Sequence, residues 1–571
     1  MISRRHQQWM TGLVAAVFMV FAAASAGAQG DAVEQWALTD PTTPDYATHT
    51  LSLINVDKPR NAQNELNPSA NGKTVRAHGE YFYVVETGQA NSIAKYHMSD
   101  LTEPVWNYSI QFSGDTGAEG FQDLVFYNEY KAYVLRRGTT VAKVVNPSAS
   151  SPEAFEIGQF DLGHYADDDG DPEIYLGIVV GDRLFVGMSR VDNSTWLPWG
   201  DVQVPPSVPS YVAVIDTKTD TEIDTRPISG GSQDLPGIPL PLPYAYQGAD
   251  YHPGTNTVYW ACGSALDFSG WGYPASGWEY KGGMAAIDPD TYRTEVLWDD
   301  GTMENHPHGS TCNARIYSST LGFFTGYLGA DDSKLHAFNP TTRVVYGAVH
   351  PVFDGTYNSL QKFAINIDKN NHLWATNSQY HEMVILDIDE TGDAPAFTID
   401  EKIDTVYDPD QVVFAQSQSV NVDVDSPAGD VRDVETTAVG DLSGDLAGQL
   451  PAGMEFPDGL VEFTVANLES AGQTVTVTAT FDGNIPADAR YYKVDETGGK
   501  GVYEFVDADG TPLYVVSGNT VQLTLTDGGP GDHDGAADGK IVDPGGWART
   551  ISLDAPGDDD DDDDDGGGGG G

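Results

Sequence analysis

The stretch Ala364-Ile365-Asn366-Ile367-Asp368-Lys369-Asn370-Asn371-His372-Leu373-Trp374-Ala375-Thr376 holds two short apolar runs around a turn built from Asp, Lys and Asn. Each run is shorter than a stable helix needs and carries the alternation of a strand, while the Asx side chains between them suit a tight reversal. The reading is a β-hairpin with Trp374 on its buried face. A lone hairpin cannot bury enough apolar surface to persist, so the hairpin needs neighbours of its own kind.

Outward from that hairpin the same pattern recurs. The clearest copy runs through Val258-Tyr259-Trp260, then Met284-Ala285-Ala286-Ile287-Asp288-Pro289-Asp290, then Glu295-Val296-Leu297-Trp298. Ala213-Val214-Ile215-Asp216-Thr217-Lys218 and Leu335-His336-Ala337-Phe338-Asn339-Pro340 repeat its third strand and the turn that follows. A unit of roughly 45 to 65 residues with four strands is the pattern of a propeller blade. Units start near residues 76, 118, 172, 244, 306 and 360, and a seventh closes if Tyr46–Val56 pairs with the strand around Val412-Val413-Phe414. The expectation is an all-β chain with a six- or seven-bladed β-propeller over residues 29–415. In its strand, acidic turn and Leu373-Trp374-Ala375 strand the chain resembles propellers of the YVTN and lactonase-like families. That resemblance implies the fold and leaves the activity open, because one propeller scaffold hosts many functions.

After Ala415 the texture changes to small residues with Val and Thr in alternation, as in Val461-Glu462-Phe463-Thr464-Val465 and Thr474-Val475-Thr476-Val477-Thr478-Ala479. This reads as a β-sandwich module over residues 416–556. The run Pro451–Gly459, Tyr491-Tyr492-Lys493 and the segment from Leu525-Thr526-Asp527-Gly528-Gly529 to Ile541-Val542-Asp543-Pro544-Gly545-Gly546 resemble the choice-of-anchor U domain. The resemblance implies a neighbouring C-terminal surface-sorting signal and sorting machinery that acts on it. Residues 557–571 are instead an Asp run, Asp558 to Asp565, followed by glycines, which cannot bury apolar surface and read as a disordered tether.

At the other end Arg4 and Arg5, an apolar stretch from Leu13 to Ala26 and the small residues Ala26-Gly27-Ala28 have the plan of a cleaved secretory signal peptide over residues 1–28. The expected address is extracellular or cell-surface, with no membrane insertion of the mature chain. The 571 residues carry 85 Asp and Glu against 29 Lys and Arg, a formal charge of −56. A surface of that sign repels phosphate backbones, so nucleic acid is an unsuitable partner, and it attracts cations. With 63 Gly and 33 Pro the chain is poor helix material.

Five groups of residues could carry chemistry. Asp527, Asp532, Asp534, Asp538 and Asp543 lie in and around a Gly-rich loop, and Asp167, Asp168, Asp169, Asp171 and Glu173 form a denser cluster; both suit the oxygen shell of Ca2+. Neither matches the EF-hand template, so a solvated acidic turn is the competing reading. Cys262 and Cys312 are the two cysteines, and in an exported chain they are expected to pair as a disulfide between neighbouring blades. His252, His306 and His308 could instead meet a Cu or Zn ion, alone or with a thiolate, at the mouth of the central tunnel; packing histidines are the alternative. Trp271, Tyr273, Trp278 and Tyr280, on a Gly-rich insertion, could form a ligand platform or cover a blade edge. No Walker loop, dinucleotide fingerprint, nucleophile elbow or His-Glu-x-x-His helix is present.

Two functions follow from these residues. One is a surface-displayed binding or structural protein, stabilised by Ca2+, with an extracellular ligand. The other is a secreted metal-dependent propeller enzyme, a lactonase-like hydrolase or copper oxidoreductase, built on His252, His306 and His308.

Overall fold

The computed structural model describes residues 35–550, apart from 46, 88–89, 99, 102, 118, 191–208, 231–232, 246–247, 264–281, 303, 328–332, 350–363, 393, 417–422, 427, 438–453, 457–458, 469, 482–484, 486–488, 496–500 and 534. The chain divides into two compact units between Ser417 and Gln418.

Seven antiparallel sheets of four main strands follow one another in the first unit. Blades 2 to 7 begin with the inner strands Lys73–His78, Gly120–Asn128, Ile174–Val180, Gly248–His252, Ser310–Ile316 and Ile365–Ile367. Each lies within about five residues of the starts expected from the repeat. Blade 1 is made from both ends of the unit: Gln35–Thr39, His49–Asn55 and Ala62–Ser69 are joined on the inside by Val413–Gln416. Here the structure corrects the expected pairing. Val413–Gln416 pairs with Gln35–Thr39, in the register Trp36↔Ala415, Ala37↔Phe414 and Leu38↔Val413, and His49–Asn55 is the next strand out. The two candidate partners are about equally apolar, and only the register separates them.

The strands alternate between the two neighbouring seams, because successive side chains leave a strand on opposite faces. Tyr83 enters the seam of blades 2 and 3, while Phe82 and Val84 enter that of blades 1 and 2. Leu135 and Val186 fill the seam of blades 3 and 4, Phe185 and Trp260 that of 4 and 5, Tyr259 and Phe324 that of 5 and 6, and Phe323 and Leu386 that of 6 and 7. The seventh cluster, with Trp374, Ile54 and Ala37, joins blade 7 to blade 1. A row of seven sheets has six seams; the seventh closes the ring, and the fold is a seven-bladed β-propeller. The closing seam is also strongly charged. Arg60 and Lys58 both pair with Asp400, Arg60 reaches Glu401, and Lys369 pairs with Asp57.

Three of the hairpins between third and fourth strands share one turn. In blades 4, 5 and 6 the carbonyl of Asp216, Asp288 or Asn339 accepts from the N–H four residues on, each at 2.8 Å. The side-chain oxygen of the same residue accepts from the N–H groups two and three residues on. The fifth residue, Asp220, Tyr292 or Arg343, takes a positive φ of 52°, 55° or 64°. The Asx side chain satisfies donors that the reversal would leave bare, which is why the repeat carries Asp or Asn there.

The second unit is a two-sheet sandwich. One sheet runs Asp423–Asp425, Thr474–Thr480, Thr520–Thr526, Tyr514–Ser517; the other runs Asp430–Thr437, Leu460–Ala466, Ile541–Thr550, Arg490–Asp495, Gly501–Glu504, with Met454–Glu455 beside Ile541–Thr550. Val475, Val477, Val521, Leu523 and Leu525 from one sheet pack on Phe463, Val465, Tyr491, Ile541 and Trp547 from the other, and the intervening threonines face outward. Among the described residues no helix is long and apolar enough to cross a membrane.

Candidate functional site

In an antiparallel meander successive connections fall at opposite ends of the sheet. Every first-to-second and third-to-fourth hairpin of the propeller therefore lies at one end, here the lower end. Every second-to-third connection and every link to the next blade lies at the upper end. Most lower connections are short, as in 79–80, 129–130, 181–182, 217–220, 253–256 and 368–372, while 98–105 and 146–155 are longer. The upper ones include 189–210, 263–282, 300–309 and 349–364. The expected platform of Trp271, Tyr273, Trp278 and Tyr280 belongs to one of these upper connections and lies outside the described residues.

The acidic cluster also sits at the upper end, in the connection that enters blade 4. Asp167, Asp169 and Asp171 form three consecutive turns: each accepts, through Oδ1, from the N–H two residues ahead, at 3.2, 2.8 and 3.0 Å. Asp171 Oδ2 also accepts from Gly138 N–H at 2.6 Å, tying the loop to blade 3. Burial holds the Asp171 carboxyl above its usual range, with the charge on Asp169 adding to the effect. Glu173 is 1 % exposed and has a φ of 49° at the head of the inner strand. The loop is thus a pre-bent run of carboxylates at the upper end of the inner strand of blade 4.

The three histidines do not converge. His252 ends its inner strand and stands in the lower hairpin of blade 5, where its Nδ1 accepts from Thr255 N–H at 3.2 Å. His306 and His308 precede the inner strand of blade 6, in the upper connection. The inner strands of blades 5 and 6 run side by side, with Ile316 N–H donating to Asp250 at 2.6 Å. His252 is therefore a strand length or more from His308, roughly 20 Å at about 3.3 Å per residue. The ring near His308 belongs to His336, at 5.4 Å between centres. His336 is 3 % exposed, has no hydrogen bond at either ring nitrogen, and is held by burial at a pKa of about 4. Its signal in the sequence was a polar residue where the other copies carry Ala213 and Ala285.

Cys262 and Cys312 are thiols in the structure, so the expected disulfide is absent. The reason is the strand alternation. Tyr259 and Ala261 face blade 6, whereas Trp260 and Cys262 face blade 4, on the far side from Cys312. Burial pushes the Cys262 thiol up in pKa.

The C-terminal carboxylates divide among separate tasks. Asp527 accepts from the N–H groups of Gly472, Asp538 and Gly539 at 2.7, 3.1 and 2.9 Å, which holds its carboxylate below the usual range despite an opposing desolvation effect. Asp532 accepts from Gly528 and Val542, and Asp538 from Lys540. Asp543 is apart from the loop: it is fully buried against Lys493 in the sandwich interior. Asp534 lies outside the described residues. The loop is closed by backbone donors, the role of a self-capped turn.

Among the described residues one group, His372, Asp387 and Asp400, brings three possible ligand atoms within 4.8 Å of one another. It lies on blade 7 at the closing seam. Asp400 already receives Lys58 and Arg60, and His372 contacts Asp368 at 2.9 Å and Asp387 at 3.3 Å. The cations present already serve the carboxylates, and the group reads as an ion-pair network.

No protein-family model matches the chain, and no curated protein matches it. Among solved structures it is similar to Hsv2p of Kluyveromyces lactis, with 9 % identity, 65 % of this chain and 99 % of that chain covered, and a TM-score of 0.33. It is similar to a calcium-binding protein, regucalcin, of Agrobacterium tumefaciens, with 9 % identity, coverage of 59 % and 92 %, and a TM-score of 0.30. A third is a glucose dehydrogenase-type oxidoreductase of a Thermus species, with 12 % identity, coverage of 69 % and 94 %, and a TM-score of 0.26. The fold assignment rests on this chain's own strand pairing and closed ring of seams.

Proposed function

We propose that the chain is an exported, surface-displayed binding protein whose propeller presents its upper end to an extracellular ligand, with Ca2+ stiffening that end through Asp167, Asp169 and Asp171. One observation carries this reading: the longest connections gather at the upper end, and most connections at the lower end are short turns. Binding residues belong on variable connections held by a rigid scaffold. The secretory-signal pattern and the resemblance of the sandwich to the choice-of-anchor U domain support display at the surface. The enzyme reading is not favoured, because His252 stands at the opposite end of the propeller from His306 and His308.

The test uses the full chain on arrays of extracellular glycans and peptides, with and without Ca2+. A second protein has residues 264–281 replaced by a Gly-Ser linker. A ligand bound by the first and lost by the second, with an unchanged melting curve, is the expected result. A ligand retained by the linker variant places binding elsewhere, and turnover of a lactone or phenol that survives chelation contradicts the binding role.

A further inference from the structure

Strand Arg490–Asp495 lies beside strand Ile541–Thr550, with Lys493 opposite Gly545 and Tyr491 opposite Trp547. Residues two apart on a strand share a face, so Lys493 and Asp543 form a diagonal pair on the inner face of the sheet. Gly545 leaves the space between them open; a Cβ there would lie 2.7 Å from both the Tyr491 ring and the Tyr492 carbonyl. Lys493 Nζ is in direct contact with Asp543 Oδ1, and the two side chains are 3 % and 0 % exposed. The setting is apolar: the ring centres of Phe505 and Tyr491 lie 4.5 and 5.5 Å from Nζ. Beyond that mutual contact neither the amine nor either carboxyl oxygen has a hydrogen-bond partner.

An ion pair in such a place is poorly supported, since two desolvated charges need further hydrogen bonds to offset what they lose from water. Burial drives both groups toward their neutral forms, lowering the proton affinity of the Lys493 amine and raising that of the Asp543 carboxyl. A neutral amine held against an undissociated carboxylic acid, with water excluded, is the reactant pair of amide formation.

We propose that Lys493 and Asp543 are joined by an intramolecular isopeptide bond that the folded sandwich forms in itself. The Nζ lone pair adds to Asp543 Cγ and the C–N bond forms. One amine proton passes to the departing hydroxyl, the C–OH bond breaks and water leaves; nothing is oxidised or reduced. Asp532, 9 % exposed and held by the N–H groups of Gly528 and Val542, adds its negative charge to the surroundings of both groups. The buried Tyr491 hydroxyl, which has no hydrogen-bond partner and senses the Asp543 charge, is placed to donate to the oxygen that becomes negative when Nζ adds. The product amide removes both buried ionisable groups and ties adjacent strands across the intervening residues 494–542.

The test is peptide mapping of the purified full chain by tandem mass spectrometry after denaturation and digestion. The peptides bearing Lys493 and Asp543 are expected joined, lighter than their sum by one water. Recovery of both peptides unjoined and at full mass from folded protein overturns the proposal. Asp543→Asn keeps the geometry if removal of the carboxyl proves disruptive: joined peptides lighter by one ammonia confirm attack at Cγ, and unjoined peptides in a folded variant contradict it. Lys493→Arg is expected to give linear peptides only; a cross-link persisting there places the bond at another residue and overturns the assignment.

Discussion

The two ends of the propeller are made from the same seven sheets, yet they differ in what they ask of the sequence. At the lower end Asp216, Asp288 and Asn339 impose one hydrogen-bonded turn on three blades, and Asp368 accepts from the N–H groups of Asn370 and His372 and from Trp374 Nε1. At the upper end no such repeat holds. Connections of unequal length leave the blades there, and buried polar groups such as Asp40 stand in unfavourable settings. The fold is specified by the seams and the lower turns, which leaves the upper end free to carry chemistry. This is the division expected when function is placed on a scaffold rather than built into its core.

Substitutions at the two ends should therefore differ in sign as well as size. Trp374→Ala removes a fully buried ring from the closing seam, and a loss of about 3–5 kcal/mol in denaturant unfolding is expected. Asp368→Ala, which strips that ring's partner and two turn donors, should cost about 2–4 kcal/mol by the same measurement. An effect near zero for either would mean that the lower end does not hold the ring.

Acid should weaken the propeller next. His78 and His336 are both held by burial at a pKa of about 4. An unfolded histidine binds its proton near pH 6.5, so the unfolded state gains protons first and stability falls as the pH drops from about 6.5 toward 4. Between pH 7 and 5 each contributes a loss of about 1–2 kcal/mol. His336→Phe should flatten this slope in a melting series, and a slope left intact would remove His336 from the account.

The upper end should yield the opposite sign. Asp40 is 1 % exposed, and its carboxyl is raised well above the usual range by burial and then by Asp410. The folded state holds this proton more tightly than the unfolded one, so stability falls as the pH rises past the unfolded value near 4. Asp40→Asn should raise stability at neutral pH by about 1–2 kcal/mol, with the gain gone below about pH 4. The smallest effect is expected from the linker replacement of residues 264–281, within about 0.5 kcal/mol by thermal melting.

The four-strand period was legible because blade packing demands it: each unit needs alternating apolar strands and an Asx turn, and both leave marks on neighbouring residues. The closure was half legible, since Val413–Gln416 could be recognised as a strand while its partner, Gln35–Thr39, lies at the opposite end of the unit in sequence. What escaped was which neighbour each face meets. Cys262 points to blade 4 because it falls two residues after Trp260, and His252 stands at the lower turn because it is the last residue of an inner strand. Asp543 read as a calcium ligand by its company in the sequence. Its contact is Lys493, and that pairing depends on a register no local pattern displays.

If the upper end of the propeller binds and Asp167–Glu173 hold a cation, amide hydrogen exchange on the full chain will respond to Ca2+. Exchange is expected to slow in 162–173 and in the adjoining upper connections 115–119 and 138–140, with the lower turns and the 527–540 loop unchanged. Slowing confined to 527–540 or to the lower turns, or no slowing at millimolar Ca2+, would contradict that cation site.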